Sequence, residues 1–282
     1  MRLKNTGKIT VIPVSGLANR LRVVATSIKL ARESNKKINI YWQANKYLNA
    51  GFNDLFIAPG SYVVKKPPFK YSIWLIMKSH SVKLNRLSKW YLKLFKFDYI
   101  FLDAMAPMVW RNKIDLQKEV DQYEDVFICS CQELNYFDLE DYKLFVPKDE
   151  LMKKINSISN MFRPNTIGIH IRSTDNEMAK QHSPFNIFLE KINGEISIDP
   201  NASFFISTDN EEYQKELLEE FGSDRIIFNA KEFRRDVSKG IKDAVIDLFC
   251  LAKTSRIYGS YNSSFSWVAG RIGNVPVEIL KK

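Results

Sequence analysis

Thr166-Ile167-Gly168-Ile169-His170-Ile171-Arg172-Ser173-Thr174-Asp175 decides how this chain is read. Its first half is short, apolar and β-branched, which predicts a buried strand. Its second half turns polar at once. In open α/β sheets, ligands bind at the carboxyl ends of strands, so His170, Arg172 and Asp175 mark a candidate site. Downstream the pattern recurs. A polar loop leads to a helix from Pro184, and strand Ser203–Ser207 to helix 211–221. Strand Arg225–Phe228 leads through a loop to helix 243–253. Strand Arg256–Gly259 leads to helix 264–272 and a last strand, Pro276–Leu280. Such alternation predicts a parallel sheet covered by helices on both faces.

Upstream, a helix over 148–161 follows Pro147 and sets a boundary between two α/β domains, 1–147 and 148–282. The first domain opens with strand Lys8–Val14, a break at Ser15-Gly16, helix 17–33 and strand Ile38–Trp42. Strands near Tyr99–Leu102 and 125–131 follow. Strand, glycine turn, helix is the start of a βαβ unit.

The 282 residues are 45% hydrophobic and 26% charged, values of an ordinary globular protein. A net charge of +10 points to an anionic partner: nucleic acid, a membrane surface or a phosphorylated small molecule. Residues 55–97 hold no Asp or Glu but carry Lys or Arg at 65, 66, 70, 78, 83, 86, 89, 93 and 96. Leu84, Leu87, Tyr91, Leu94 and Phe95 share one helical face there, opposite Arg86, Lys89, Lys93 and Lys96. Three cysteines without a second pair do not make a zinc site and fit a reducing compartment. The start lacks an apolar signal segment, and Ile73–Met77 is too short to span a bilayer. A cytoplasmic location is expected, at most peripheral at the inner face of a membrane through 55–97.

Five clusters, that of Arg172 included, invite chemistry, and each has a plainer reading. Arg172 after a strand can be a surface salt-bridging residue, yet its planar fork also suits a pyrophosphate. Ser207-Thr208-Asp209-Asn210 can simply cap a helix. Asp247 can be an exposed helical carboxylate or face inward beside Leu248 and Leu251. Tyr261-Asn262-Ser263-Ser264-Phe265-Ser266-Trp267 supplies hydroxyls and free N–H groups at a helix start, which suit an anion as well as a cap. Ser15-Gly16-Leu17-Ala18-Asn19-Arg20 follows the same logic, its glycine permitting close backbone approach. Neither a dinucleotide fingerprint nor a Walker loop is present, nor a metallopeptidase or kinase signature. No carboxylate pair follows an early strand, so no metal is expected.

Taken in order, these clusters resemble the motifs of the fucosyltransferase superfamily, which includes α-1,2-, α-1,6- and protein O-fucosyltransferases and the bacterial nodulation fucosyltransferase. Gly16-Leu17-Ala18-Asn19-Arg20-Leu21 is similar to its early turn. His170-Ile171-Arg172-Ser173-Thr174-Asp175 is similar to its His-x-Arg motif, and Asn262-Ser263-Ser264-Phe265-Ser266-Trp267 to its last motif. Ser173 stands where the α-1,2 and α-1,6 branches carry a second Arg; the protein O-fucosyltransferases, like this chain, manage with a single Arg. The resemblance implies a GT-B architecture, two Rossmann-like domains facing across a cleft. It implies GDP-fucose or a related GDP-sugar as donor, inversion, and no metal or other cofactor. By motif position Arg172 holds the β-phosphate, and His170 and Asp247 contact guanine. Ser263, Ser264 and Phe265 close over the diphosphate, and Gly16, Asn19, Arg20 and Asp209 complete the substrate-binding set. Asp175, Glu177 and His182 are the nearby bases, with Glu177 preferred.

The leading expectation is a transferase of a bacterial-type surface glycan, its acceptor lipid-linked and met at the membrane. Two alternatives stay open. One is a nucleic-acid or anionic-surface binding protein using 55–97, although no nucleic-acid motif supports it. The other is a nucleotide-binding relative without catalysis.

Overall fold

The computed structural model describes residues 7–58, 62–80, 90–132, 134, 136–234 and 236–282, with the backbone alone for 76–80. The chain divides into two compact units, Met1–Ala44 with Gly51–Phe145, and Asn45–Ala50 with Val146–Lys282.

The first unit holds strands β1 (Lys8–Pro13), β2 (Lys37–Tyr41), β3 (Val63–Lys65), β4 (Tyr99–Leu102) and β5 (Asp125–Ser130). They form one sheet in the order β3-β2-β1-β5-β4. Every pairing is parallel; Ile9 faces Ile38 on one side and Val126 on the other. Helix α1 (Leu17–Glu33) buries Leu17, Leu21, Val24, Ile28 and Leu30, an apolar face at helical spacing. Asn35, at φ 50°, turns the chain after it, a conformation asparagine tolerates.

Helix α2 (Phe69–His80) occupies the basic segment. Its Trp74 packs edge-on against Phe127 at 5.2 Å. The proposed apolar face around Leu94 is not kept. Leu92 is buried with Trp74 and Phe127, Tyr91 and Phe95 are half-buried, and Leu94 is exposed. The helix there gives way to a turn at 94–96, with Lys96 at φ 54°, and that turn rotates Leu94 outward. Leu84, Leu87, Lys83, Arg86 and Lys89 lie outside the described residues.

The second unit holds β6 (Ile167–Ile171), β7 (Phe204–Thr208), β8 (Ile226–Phe228), β9 (Ile257–Ser260) and β10 (Val277–Leu280) in the order β8-β7-β6-β9-β10, all parallel. The chain lays β7 and β8 on one side of β6, then returns to lay β9 and β10 on the other. The strand order therefore reverses between β6 and β9, the place where Rossmann-type sheets open for ligands. β6 and β7 are buried along their whole length, which is why they read as continuous apolar runs. The connecting helices are α3 (Asp149–Ser159), α4 (Glu177–His182), α5 (Phe185–Ile198), α6 (Glu211–Phe221), α7 (Ser238–Leu251) and α8 (Ser264–Gly273).

Two elements differ from expectation. The polar stretch after Arg172 contains α4, started by the Asn176 side chain, which accepts from the Ala179 N–H at 3.1 Å. Helix α7 begins at Ser238, five residues earlier than the sequence reading, because Gly240 sits in its first turn. A Cβ there would lie 1.8 Å from the Arg234 carbonyl oxygen, so the glycine reflects close packing of the preceding loop.

Candidate functional site

The reversal point of the second unit gathers the motif residues. The Arg172 N–H donates to Ser260 Oγ at 2.9 Å and clips the end of β6 to the end of β9. His170, buried one residue pair earlier, has Nδ1 2.8 Å from Ser266 Oγ and its ring stacked on Phe265 at 4.9 Å. Gly259 allows this approach, since a Cβ there would meet Ser266 Oγ at 2.2 Å. Burial pushes the His170 pKa down to about 3, against the pull of Asp209, so the imidazole is neutral at neutral pH.

Arg172 lies between two carboxylates. Its Nη1 is 2.6 Å from Asp209 Oδ2, and its Nη2 pairs with Asp175. Asp209 is the holder: it also accepts from the Ser173 N–H at 2.8 Å and the Thr174 hydroxyl at 2.6 Å. Burial raises the Asp209 pKa, but Arg172 and these donors outweigh it and bring it below the usual carboxylate value. Asp209 is thus turned toward Arg172, and the cap of α6 is made by Asn210, which accepts from the Glu212 N–H at 2.9 Å. Ser173, in the second-arginine position, contributes its backbone to that carboxylate.

Helix α8 starts at Ser264. Asn262, at φ 52°, turns the chain into it, and Ser263 in the cap position makes no side-chain cap hydrogen bond. The Ser263 side chain therefore does not take the first N–H groups of α8, the helix whose Phe265 stacks on His170.

Asp247 faces inward from α7 and is 2% exposed. Its Oδ2 accepts from Ser207 Oγ at 2.9 Å and pairs with Lys231; its Oδ1, also buried, has no hydrogen-bond partner. Burial raises its pKa although Lys231, Ser207 and Asn229 pull it down. Lys231 was missed in the sequence, yet it stands three residues past β8, where the strand-end rule points.

The bases separate. Asp175 is exposed and engaged by Arg172. Glu177 opens α4 with its side chain 84% exposed beside Lys180, on a helix where a loop was expected. His182 closes α4 with its ring 4.8 Å from Tyr261. In the first unit, Ser15 rather than Gly16 takes the left-handed conformation, at φ 72°, and the space a Gly16 Cβ would enter is open. Asn19 donates to Ser15 Oγ at 3.1 Å. Arg20, expected to face substrate, is turned into the unit. It donates to the carbonyls of Ser15 at 2.8 Å and Gln43 at 2.5 Å, with its guanidinium over Trp42. Burial brings its pKa down to about 10.

Among the described residues, no group of three or more His, Cys, Asp or Glu is arranged to hold a metal ion. Nor is any helix there long and apolar enough to cross a membrane.

No protein-family model matches the chain, and no curated protein matches it in sequence. Solved structures do match in fold. NodZ α-1,6-fucosyltransferase soaked with GDP-fucose is 15% identical with a TM-score of 0.64, over 97% of this chain and 94% of that one. A mutant of Arabidopsis thaliana FUT1 in complex with GDP is 14% identical with a TM-score of 0.59, over 98% and 70%. POFUT1 in complex with GDP-fucose is 12% identical with a TM-score of 0.59, over 98% and 98%. The chain therefore has the GT-B fold of these fucosyltransferases, matched over 97% and 98% of its length.

Proposed function

We propose that this chain is an inverting, metal-independent glycosyltransferase that moves fucose from GDP-fucose to a glycan acceptor. The observation that carries the reading is Arg172 at the strand-order reversal of a fold whose solved examples include GDP-fucose complexes. When the glycosidic bond breaks, charge grows on the β-phosphate of the leaving GDP. Arg172 and the N–H groups of α8 at Ser263, Ser264 and Phe265 are the preorganised donors that would stabilise it. The neutral His170 imidazole and the Asp247 carboxylate take the guanine. Glu177 takes the proton of the acceptor hydroxyl, with Asp175 and His182 as alternatives. Gly16 and Asn19 belong to the acceptor side.

Arg172→Ala is expected to weaken GDP binding in calorimetry and to cost on the order of a hundred- to thousandfold in transfer. Unchanged GDP affinity in that variant overturns the assignment. Transfer is expected at full rate in excess chelator, and strict dependence on manganese or magnesium contradicts the metal-free scheme.

The acceptor is proposed to be lipid-linked and met at the cytoplasmic face of a membrane. Exposed Phe69, Trp90 and Leu94, with Lys65, Lys66, Lys70, Lys93 and Lys96 in the same acid-free segment, support that contact. The three free cysteines suit the cytoplasm.

A further inference from the structure

We infer that Lys231 is a positioning residue for the nucleotide base: it holds Asp247 by one oxygen so that the other is left for the N–H groups of guanine. The inference rests on the reading of Asp247 as the base-contacting carboxylate and extends it to a residue that no sequence motif marks.

Asp247 is shut away from water, and an isolated carboxylate there would take up a proton. Protonated, it would offer one donor and one acceptor. The guanine edge presents only donors there, N1–H and the 2-amino group, and a charged oxygen accepts from them about twice as strongly as a neutral carboxyl does. Lys231 supplies the missing charge from within the fold. Its side chain is 7% exposed and pairs with Asp247 Oδ2. A second donor within hydrogen-bond distance, Ser207 Oγ, reaches that same oxygen at 2.9 Å, while the nearby Asn229 side chain adds a weaker pull toward the charged form. Both donors converge on Oδ2, and Oδ1 is left buried and unpartnered. A buried acceptor without a donor is costly unless a ligand brings one.

Lys231 is itself fixed. The neighbouring Glu232 N–H donates to Asp243 Oδ2 at 2.9 Å, which ties the loop to α7 one turn before Asp247. The Arg234 carbonyl rests where a side chain at Gly240 would be. The ammonium also lies 5.2 Å from the centre of the Phe233 ring. The loop after β8 is thus built against the helix that carries the carboxylate.

The test is calorimetry on the full chain with GDP, IDP, ADP and UDP. Wild type is expected to prefer GDP, with IDP weaker because it lacks the 2-amino donor. Lys231→Met is expected to lose ten- to hundredfold in GDP affinity, the size of losing charge-assisted hydrogen bonds. Its ADP and UDP affinities are expected to stay within about twofold, since neither base uses the lost pattern. The double variant Lys231→Met with Asp247→Asn is expected to bind GDP no worse than Asp247→Asn alone, because Lys231 acts through Asp247. Should Lys231→Met fail to fold, Lys231→Gln, which keeps a donor without the charge, is read the same way. Wild type without GDP preference overturns the guanine reading, and the inference falls with it. Wild-type preference retained in the Lys231 variants, or additive losses in the double variant, overturns the inference alone.

Discussion

His170 shows how one side chain couples the site to the stability of the unit. Its ordinary value is 6.5, and burial lowers it to about 3 in the folded chain. Above pH 6.5 both states are neutral there, and folding is not penalised. As pH falls below 6.5, the unfolded chain gains a proton that the folded chain refuses, so stability is lost down to about pH 3. Between pH 7 and pH 5 that loss is about 2 kcal/mol from this residue. His170→Gln is expected to remove that part of the pH dependence, read as a shallower fall in urea-unfolding stability over the same interval. An unchanged slope would mean the imidazole is charged in the fold. His170 and Arg172 were legible as alternate residues running out of a strand. The inward turn of Arg20 was also legible in principle: it follows Leu17 by three residues and precedes Val24 by four, so it sits on the apolar face of α1. Residue type pointed to a ligand while position pointed to burial, and position won. Lys231 lacked periodic context and was passed over.

Helix α7 illustrates where element boundaries depend on packing that sequence alone does not carry. Gly240 reads as a helix breaker, yet it lies in the first turn because the 232–234 backbone passes directly over it. Gly240→Ala gains about 1 kcal/mol of helix propensity. It must also push aside a backbone carbonyl, and overpacking of that kind costs about 1–3 kcal/mol or more. We expect net destabilisation in denaturant melts and weaker GDP binding, since the displaced loop carries Lys231. A stabilised variant with intact GDP binding would show that the loop yields freely. Strands β6 and β7 were legible because burial on both faces makes them uniformly apolar. Helix α4 was hidden because its six residues are mostly exposed, so only the Asn176 cap announces it.

At the scale of the whole molecule, the alternation of strand and helix was enough to give two parallel α/β units. The strand order had to come from the structure, since pairing is a long-range property. The charge of +10 likewise says nothing of fold but a good deal about partners. Co-sedimentation with vesicles tests the membrane proposal. Binding is expected to anionic vesicles at low salt, with little to neutral ones, and to weaken sharply as salt screens the lysines. No binding to anionic vesicles at low salt would leave the exposed Phe69 and Trp90 without that role.

The clip between Arg172 and Ser260 joins residues 88 positions apart. Closing so long a loop is slow and costs entropy before any contact repays it. During synthesis, β6 leaves the ribosome before either of its neighbours, and the other half of the candidate site follows only with β9 and α8. Assembly of the proposed nucleotide site therefore waits for α8. A chain stopped between Asp209 and Phe265 would carry Arg172 and Asp209 yet have no His170 partner on α8.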